Sequence, residues 1–231
     1  MSNAHISIAA TGLHKIFRVC SKKRILKKRE LIIPYLETPK CLFIVQKGSL
    51  RVALSNIQSD GVVCISHLKP GDLFGEQGLF DTAPMQLATA TIQARCDVEL
   101  LCVTHDDLKR AAQTDPSIYA ELSAHINNRL GETTAKLLQL VFEGLEQRCY
   151  QSLVEITRLP DALTHPDGMQ ISLTRIELAQ MIGCNRESAG RILKTLKDKG
   201  LIDASGSRIV VHGIRHGVPV KVRSTEGLEC V

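Results

Sequence analysis

The segment LTRIELAQMIGCNRESAGRILKTLKDKGLI, running from Leu173 to Ile202, restricts this chain more than any other. It reads as two short amphipathic helices hinged at a glycine. Thr174 with Glu177 three residues later forms a capping box, which starts the first helix. Ile176, Leu178, Ala179 and Ile182 are the buried face expected of that helix, and Gly183 provides its left-handed exit. Asn185 is the N-cap expected for the second helix. On a wheel advancing about 100° per residue from Arg186, Gly190, Lys194, Glu187 and Arg191 fall at roughly 40°, 80°, 100° and 140°. Ala189, Ile192, Leu193 and Leu196 fall between roughly 240° and 340°, so polar and packing arcs are separate.

This arrangement points to a helix that enters a DNA major groove. Arg186 and Glu187 occupy the first helical turn, the part that penetrates deepest. An arginine fork matches guanine O6 and N7, and a carboxylate accepts from cytosine N4; phosphate binding alone would disfavour an acid here. Glu187 is therefore the most discriminating residue of the motif. A merely solvated helical hairpin explains the charge, but not the cap, the hinge and the acid among bases. Ala204-Ser205-Gly206-Ser207 then reads as a turn and Arg208-Ile209-Val210-Val211 as a β-branched strand, which adds a wing.

A chain of 231 residues with 44% hydrophobic content can bury two ordinary cores, and a net charge of +5 is mild support for a polyanionic partner. No apolar run is long enough to span a bilayer, and MSNAHISIAATG lacks the pattern of a cleavable signal; the expected location is cytoplasmic, without a membrane partner. The eight cysteines show no close pairing and read as small core hydrophobes; the eight histidines show no ligand spacing, so no metal site is expected. No nucleophile motif suggests an enzyme, and three tyrosines with no tryptophan make a poor stacking platform for single strands.

From about Leu31 to Val103 short β-rich runs such as CLFIVQKGSLRVAL, GVVCISHL and VELLCV alternate with turn signals, the pattern of a small sandwich or barrel. After Asp115-Pro116 the period becomes helical: Ile118, Leu122, Ile126, Leu130, Leu137, Val141 and Leu145 form a stripe that packs on the β domain or on a partner helix. A coiled-coil-like homodimer is favoured, because two helix-turn-helix units related by symmetry read a palindrome. The run Ser21-Lys22-Lys23-Arg24 with Lys27-Lys28-Arg29 is the densest basic patch, solvated surface or a contact to a protein partner or DNA flank. The expected division is a β-roll effector domain over 1–114, a dimerisation helix over 115–148, a winged helix-turn-helix over 149–213 and a loose tail over 214–231.

Four segments, FIVQKGS, PGDLFGEQGLFD from Pro70, LTHPDGMQISLTR from Leu163 and GCNRESAGRILKTL from Gly183, together resemble the Crp/Fnr family of transcription regulators, a likeness running roughly from Cys20 to Gly213. The resemblance implies an α+β protein with an N-terminal cyclic-nucleotide-binding β-roll, a long dimerisation helix and a C-terminal winged helix-turn-helix on double-stranded DNA. It places Arg186, Glu187 and Arg191 at base-reading positions for a TGTGA-type half-site, and Thr174 and Arg175 on the backbone. Lys194 shares their polar arc. Thr164, His165, Pro166 and Gly168 match a loop that touches RNA polymerase, and Lys22 and Arg24 fall where a second, basic activating surface lies. Gly75 and Glu76 match the start of the phosphate cassette, and Arg129, Thr133 and Thr134 the helix positions that reach a bound ligand.

The effector end departs from the family pattern. Gln86 and Leu87 stand where relatives place an arginine and a serine on the cyclic phosphate. A charge-assisted hydrogen bond contributes roughly 1.5–3 kcal/mol against about 1 for a neutral one, so binding should weaken by about tenfold or more. Cyclic AMP bound weakly, another effector such as cyclic di-GMP, or no nucleotide at all remain open, with an altered or absent response ranked ahead of ordinary control. Arg129 is a candidate to rescue the phosphate. The leading expectation is a homodimeric activator; the alternative is a cyclic-nucleotide-binding module that acts through protein contacts.

Overall fold

The computed structural model describes residues 12–33, 40–55, 61–80 and 90–215. The first helix, α1 (Gly12–Cys20), leads into eight strands: β1 (Lys22–Leu26), β2 (Leu31–Ile33), β3 (Cys41–Lys47), β4 (Leu50–Ser55), β5 (Val62–Leu68), β6 (Leu73–Phe74), β7 (Ala90–Ala94) and β8 (Val98–Thr104). They form two antiparallel four-stranded sheets ordered β1-β8-β3-β6 and β2-β7-β4-β5. Inside this roll Leu26, Val45, Leu50, Val98 and Leu100 pack around a stacked Phe43–Phe74 pair with ring centroids 4.9 Å apart.

The continuous apolar run in β3 follows from its position between two layers. Phe43 and Val45 face the roll, while Leu42 and Ile44 pack against Leu13, Ile16 and Phe17 of α1. Further partners on that side come from α2 (His105–Thr114) and α3 (Ser117–Phe142). The Glu121 carboxylate of α3 accepts from the backbone N–H of Gly12 at 2.7 Å and Leu13 at 3.2 Å, so it tethers the start of α1. Strand structure begins earlier than the hydrophobic pattern indicates. Lys22, Lys23 and Arg24 belong to β1, an exposed edge whose charge hides its periodicity and blocks pairing with another chain.

Helix α3 is 26 residues long, about 39 Å at 1.5 Å per residue. Its stripe divides: Ile118 and Leu122 are buried on the β domain, whereas Leu130, Leu137, Val141 and Phe142 are 63, 59, 64 and 78% exposed. Leu145 leaves the stripe, because the backbone turns extended at Glu143 and a new helix, α4 (Leu145–Ile156), starts after Gly144.

The remaining elements are β9 (Leu163–His165), β10 (Gly168–Ser172), α5 (Arg175–Ile182), α6 (Arg186–Asp198), β11 (Ile202–Ser205) and β12 (Arg208–His212), with the strands in the order β11-β12-β10-β9. Their core gathers Cys149, Leu153, Met169, Leu178, Ile182, Ala189, Leu196 and Val211. Four expectations need correction here. Ile176 is 53% exposed, and Met181 takes the buried place assigned to it. Ala204 and Ser205 lie in β11, so the wing turn is only Gly206-Ser207. Ile214 is buried in this core and does not begin a loose tail; residues 216–231 lie outside the described residues. Among the described cysteines only Cys64 and Cys149 are buried, Cys20 being exposed and Cys41, Cys96, Cys102 and Cys184 intermediate.

Candidate functional site: a DNA-facing helix and an effector pocket

Each local signal around α5 and α6 corresponds to a bond. The Thr174 side chain accepts from the Glu177 N–H at 3.2 Å and Glu177 accepts from the Thr174 N–H at 2.7 Å, a closed capping box. Gly183 is left-handed at φ 69°, and the Asn185 side chain accepts from Ser188 N–H at 2.8 Å. With Ala189, Leu193 and Leu196 buried below, Arg186, Glu187, Arg191 and Lys194 stand exposed on the opposite face.

A concavity of about 610 Å³ on that face is lined by Arg175, Arg186, Arg191, Lys194 and Lys197, with Glu187 the single acid. Lys197 was not singled out in the sequence, although it falls at about 20° on the same wheel. The Arg175 side chain crosses from α5 onto α6, its Cδ 3.7 Å from where a Cβ of Gly190 would stand. Five cations around one acid provide phosphate attraction together with a base-edge acceptor.

The β9–β10 hairpin exposes Thr164 on β9 and Pro166 in its turn, while the His165 ring nitrogen Nδ1 accepts from the Asp167 N–H at 3.3 Å. Gly168 is buried and lets the hairpin pack on β12, since a Cβ there would come within 2.0 Å of the Val211 carbonyl oxygen. Lys22 and Arg24 are exposed on β1, flanking Lys23, which pairs with Glu99 at 2.6 Å.

At the effector end Gly75, Glu76 and Arg129 come together, whereas Thr133 and Thr134 are exposed further along α3 and do not line the adjoining cavity. Gly75 is buried at φ 93°, where a Cβ would meet the Cys41 carbonyl oxygen at 2.4 Å. Its carbonyl accepts from Nε2 of the buried His105 at 2.9 Å, a support with no local sequence signal. The Arg129 guanidinium donates to Glu76 at 2.6 Å and to the Leu73 carbonyl at 3.0 Å. Thr133 and Thr134 donate back to the Arg129 and Leu130 carbonyls, both at 2.9 Å. Gln86 and Leu87 lie outside the described residues.

A cavity of about 200 Å³ opens beside this cluster, lined by Asp72, Glu76, His125, Arg129 and Glu132 among others. Burial pushes the Asp72 carboxyl above its ordinary value. Two of the Arg129 guanidinium donors are engaged, one by Glu76 and one by the Leu73 carbonyl. Among the described residues no group of three or more metal-ligating side chains occurs, and no helix is long and apolar enough to cross a membrane.

A β-roll joined by a long helix to a winged helix-turn-helix with a basic reading face defines a DNA-binding transcription regulator. The cyclic nucleotide-binding domain model matches residues 23–115 and the Crp-like helix-turn-helix model residues 147–215. The chain is 39% identical over 179 residues to the cAMP-activated global transcriptional regulator CRP of Pasteurella multocida, covering 78% of this chain and 84% of that one. It is 33% identical over 204 residues to the cAMP-activated global transcriptional regulator Vfr of Pseudomonas aeruginosa, covering 88% and 94%. The solved structure of the c-di-GMP responsive global regulator CLP of Xanthomonas campestris superposes with a TM-score of 0.75 at 28% identity, covering 87% of this chain and 98% of that one. The chain belongs to the Crp/Fnr family of transcription regulators.

Proposed function

We propose that this regulator is a homodimeric activator that reads a TGTGA-type palindrome and whose response to cyclic AMP is altered or absent. The observation that carries the reading is the exposed Arg186, Glu187 and Arg191 face of α6, flanked by Arg175. The uncovered apolar length of α3 supports the dimer, which would set two such helices about one DNA turn apart, roughly 34 Å. Thr164, His165 and Pro166 on their hairpin and Lys22 and Arg24 on the edge strand are the surfaces assigned to RNA polymerase.

On the ligand side, Glu76 would meet the ribose and Thr133 and Thr134 the purine. The phosphate lacks a cationic partner in the stretch containing Gln86 and Leu87, and Arg129 is drawn toward Glu76 by their ion pair. Relatives are described as cAMP-activated and as c-di-GMP responsive, so both nucleotides enter the test. DNA affinity is measured by anisotropy on a TGTGA-N6-TCACA duplex and a scrambled duplex at fixed near-physiological salt, without ligand and with each nucleotide. Specific binding that cyclic AMP leaves unchanged, or that cyclic di-GMP alters, supports the reading. Specific binding only with cyclic AMP overturns the ligand part. No palindrome preference under any condition overturns the DNA part and favours a module acting through protein contacts.

A further inference from the structure

The β domain and the DNA-binding domain meet through a buried polar clasp that neither the reading face nor the effector pocket uses. Arg95, in the turn between β7 and β8, donates from Nη2 to Asp161 at 3.1 Å, and the two side chains are only 6 and 17% exposed. The other Asp161 oxygen accepts from the hydroxyl of Ser49 at 2.7 Å, and Ser49 is completely buried. Asp161 belongs to the turn between α4 and the hairpin β9–β10, and the same Arg95 nitrogen reaches the Ser172 carbonyl at 3.4 Å.

The β-domain half of this contact is preformed. Arg95 N–H donates to the Ser49 carbonyl at 3.0 Å, and Ser49 N–H to Cys96 Sγ at 3.3 Å. Gly48 lets the two turns touch, at φ 83° with a Cβ position only 2.4 Å from the Asp97 carbonyl oxygen. A second link reaches the helix-turn-helix itself, where Arg51 of β4 donates to the Gln180 side chain of α5 at 2.7 Å. Beside them Cys64 of β5 is 3% exposed and packs into the hydrophobic core of the DNA-binding domain.

We infer that Arg95 and Asp161, with Ser49, Arg51 and Gln180, are positioning residues that fix the DNA-binding domain on the β domain and so set the half-site spacing the dimer accepts. The inference rests on the DNA-reading function proposed above. Two turns and one helix are held at separate points, which removes both swing and rotation of α6. A domain tethered only through the α3–α4 break would sample many orientations and tolerate several spacings. Removing one member of a buried ion pair leaves the other uncompensated, so either single substitution opens the contact.

The test compares wild type with Arg95→Ala, Asp161→Ala and Arg95→Lys in the full chain. One readout is N-ethylmaleimide labelling of Cys64, resolved by mass spectrometry, with the buried Cys149 of α4 as the folding control. The other is anisotropy on palindromes whose spacer is N6 or is changed by about 2 bp in either direction. In the alanine variants Cys64 labelling should accelerate by about tenfold or more while Cys149 stays protected, with Arg95→Lys between them and wild type. Their preference for the best spacing should fall from about tenfold to about threefold or less, with affinity for a single half-site unchanged.

Faster Cys64 labelling with unchanged spacing preference overturns the positioning role. Tighter palindrome binding by the alanine variants overturns it too, because the clasp would then restrain a domain that reads DNA better when free. Simultaneous exposure of Cys149 means that the contact serves only the folding of the domain, and the inference fails. If wild type prefers neither the palindrome nor any spacing, the DNA reading fails first and the positioning role falls with it.

Discussion

At the proposed DNA-facing end the polar side chains of α6 project into open surface, whereas at the effector end Arg129 and Glu76 are already bonded to one another. Arg186, Glu187 and Arg191 are exposed above a buried Ala189, Leu193 and Leu196. Arg129 and Glu76 form an ion pair, and Thr133 and Thr134 return to their own helix. A reading face has to keep its donors and acceptors available for a partner; a pocket whose groups pair internally must exchange one set of bonds for another when a ligand enters. The difference teaches that the two ends make unequal demands on a ligand, and it can be broken or sharpened by substitution.

The largest expected effect is loss of the platform under the reading face. Leu178→Ala removes a completely buried side chain between α5 and its neighbours and should destabilise the DNA-binding end by about 2–5 kcal/mol, read by chemical denaturation. Gly75→Ala should disturb the other end, forcing a strained left-handed alanine against the Cys41 carbonyl at a cost of roughly 1–3 kcal/mol, while palindrome discrimination by the folded fraction persists. Glu187→Ala should lose about 1–3 kcal/mol of discrimination at one base pair with little change on scrambled DNA. Equal losses on both duplexes would show that the acid does not read a base. Thr174→Ala opens the capping box and should cost about 1 kcal/mol of thermal stability.

The last effect is absent at neutral pH and concerns the junction. Burial, and then Arg95, Arg51 and Lys136 nearby, push the His67 imidazole down to about 3 from 6.5. Cys64, Lys69, Asp72, Glu132, Glu155 and Arg158 line the same cavity. Between those two values the unfolded chain binds a proton that the folded one refuses, so the contribution to stability is intact above pH 6.5 and is lost as pH falls. Denaturation midpoints between pH 7 and 5 should decline less in His67→Asn than in wild type; parallel curves would remove His67 as the cause.

The DNA-facing end was legible because its information is local. Thr174 with Glu177, Gly183 and Asn185 each act within four residues, and the wheel that orders α6 needs only its own thirteen residues. Ile176 was misjudged because amphipathic period alone cannot say which neighbour covers a helix edge; Met181 is covered and Ile176 is not. The β1 strand was invisible because an edge built from Lys22, Lys23 and Arg24 shows no apolar alternation. Arg95 and Asp161 are 66 positions apart, and the contact exists only once two domains meet. His105 stands 30 positions from Gly75, and their bond too exists only in the folded domain. Gln86 and Leu87 were readable as departures only against the family pattern, and they lie outside the described residues.

Gly190 carries one more consequence. Beside it Arg175 of the first helix lies across the second, and the recognition surface is composed of both. The readout is therefore a joint property: an alanine Cβ at position 190 would rest in ordinary contact with Arg175, whereas a longer side chain would crowd it without touching Arg186 or Glu187. Descendants of this regulator that come to prefer a new operator have a constrained route, in which exchange of base-reading residues on α6 is accommodated around an arginine supplied by α5. Changes at positions 175, 186, 187, 190 and 191 should accordingly be inherited as a set, and a graft of α6 alone onto a related scaffold should transfer only part of its sequence preference.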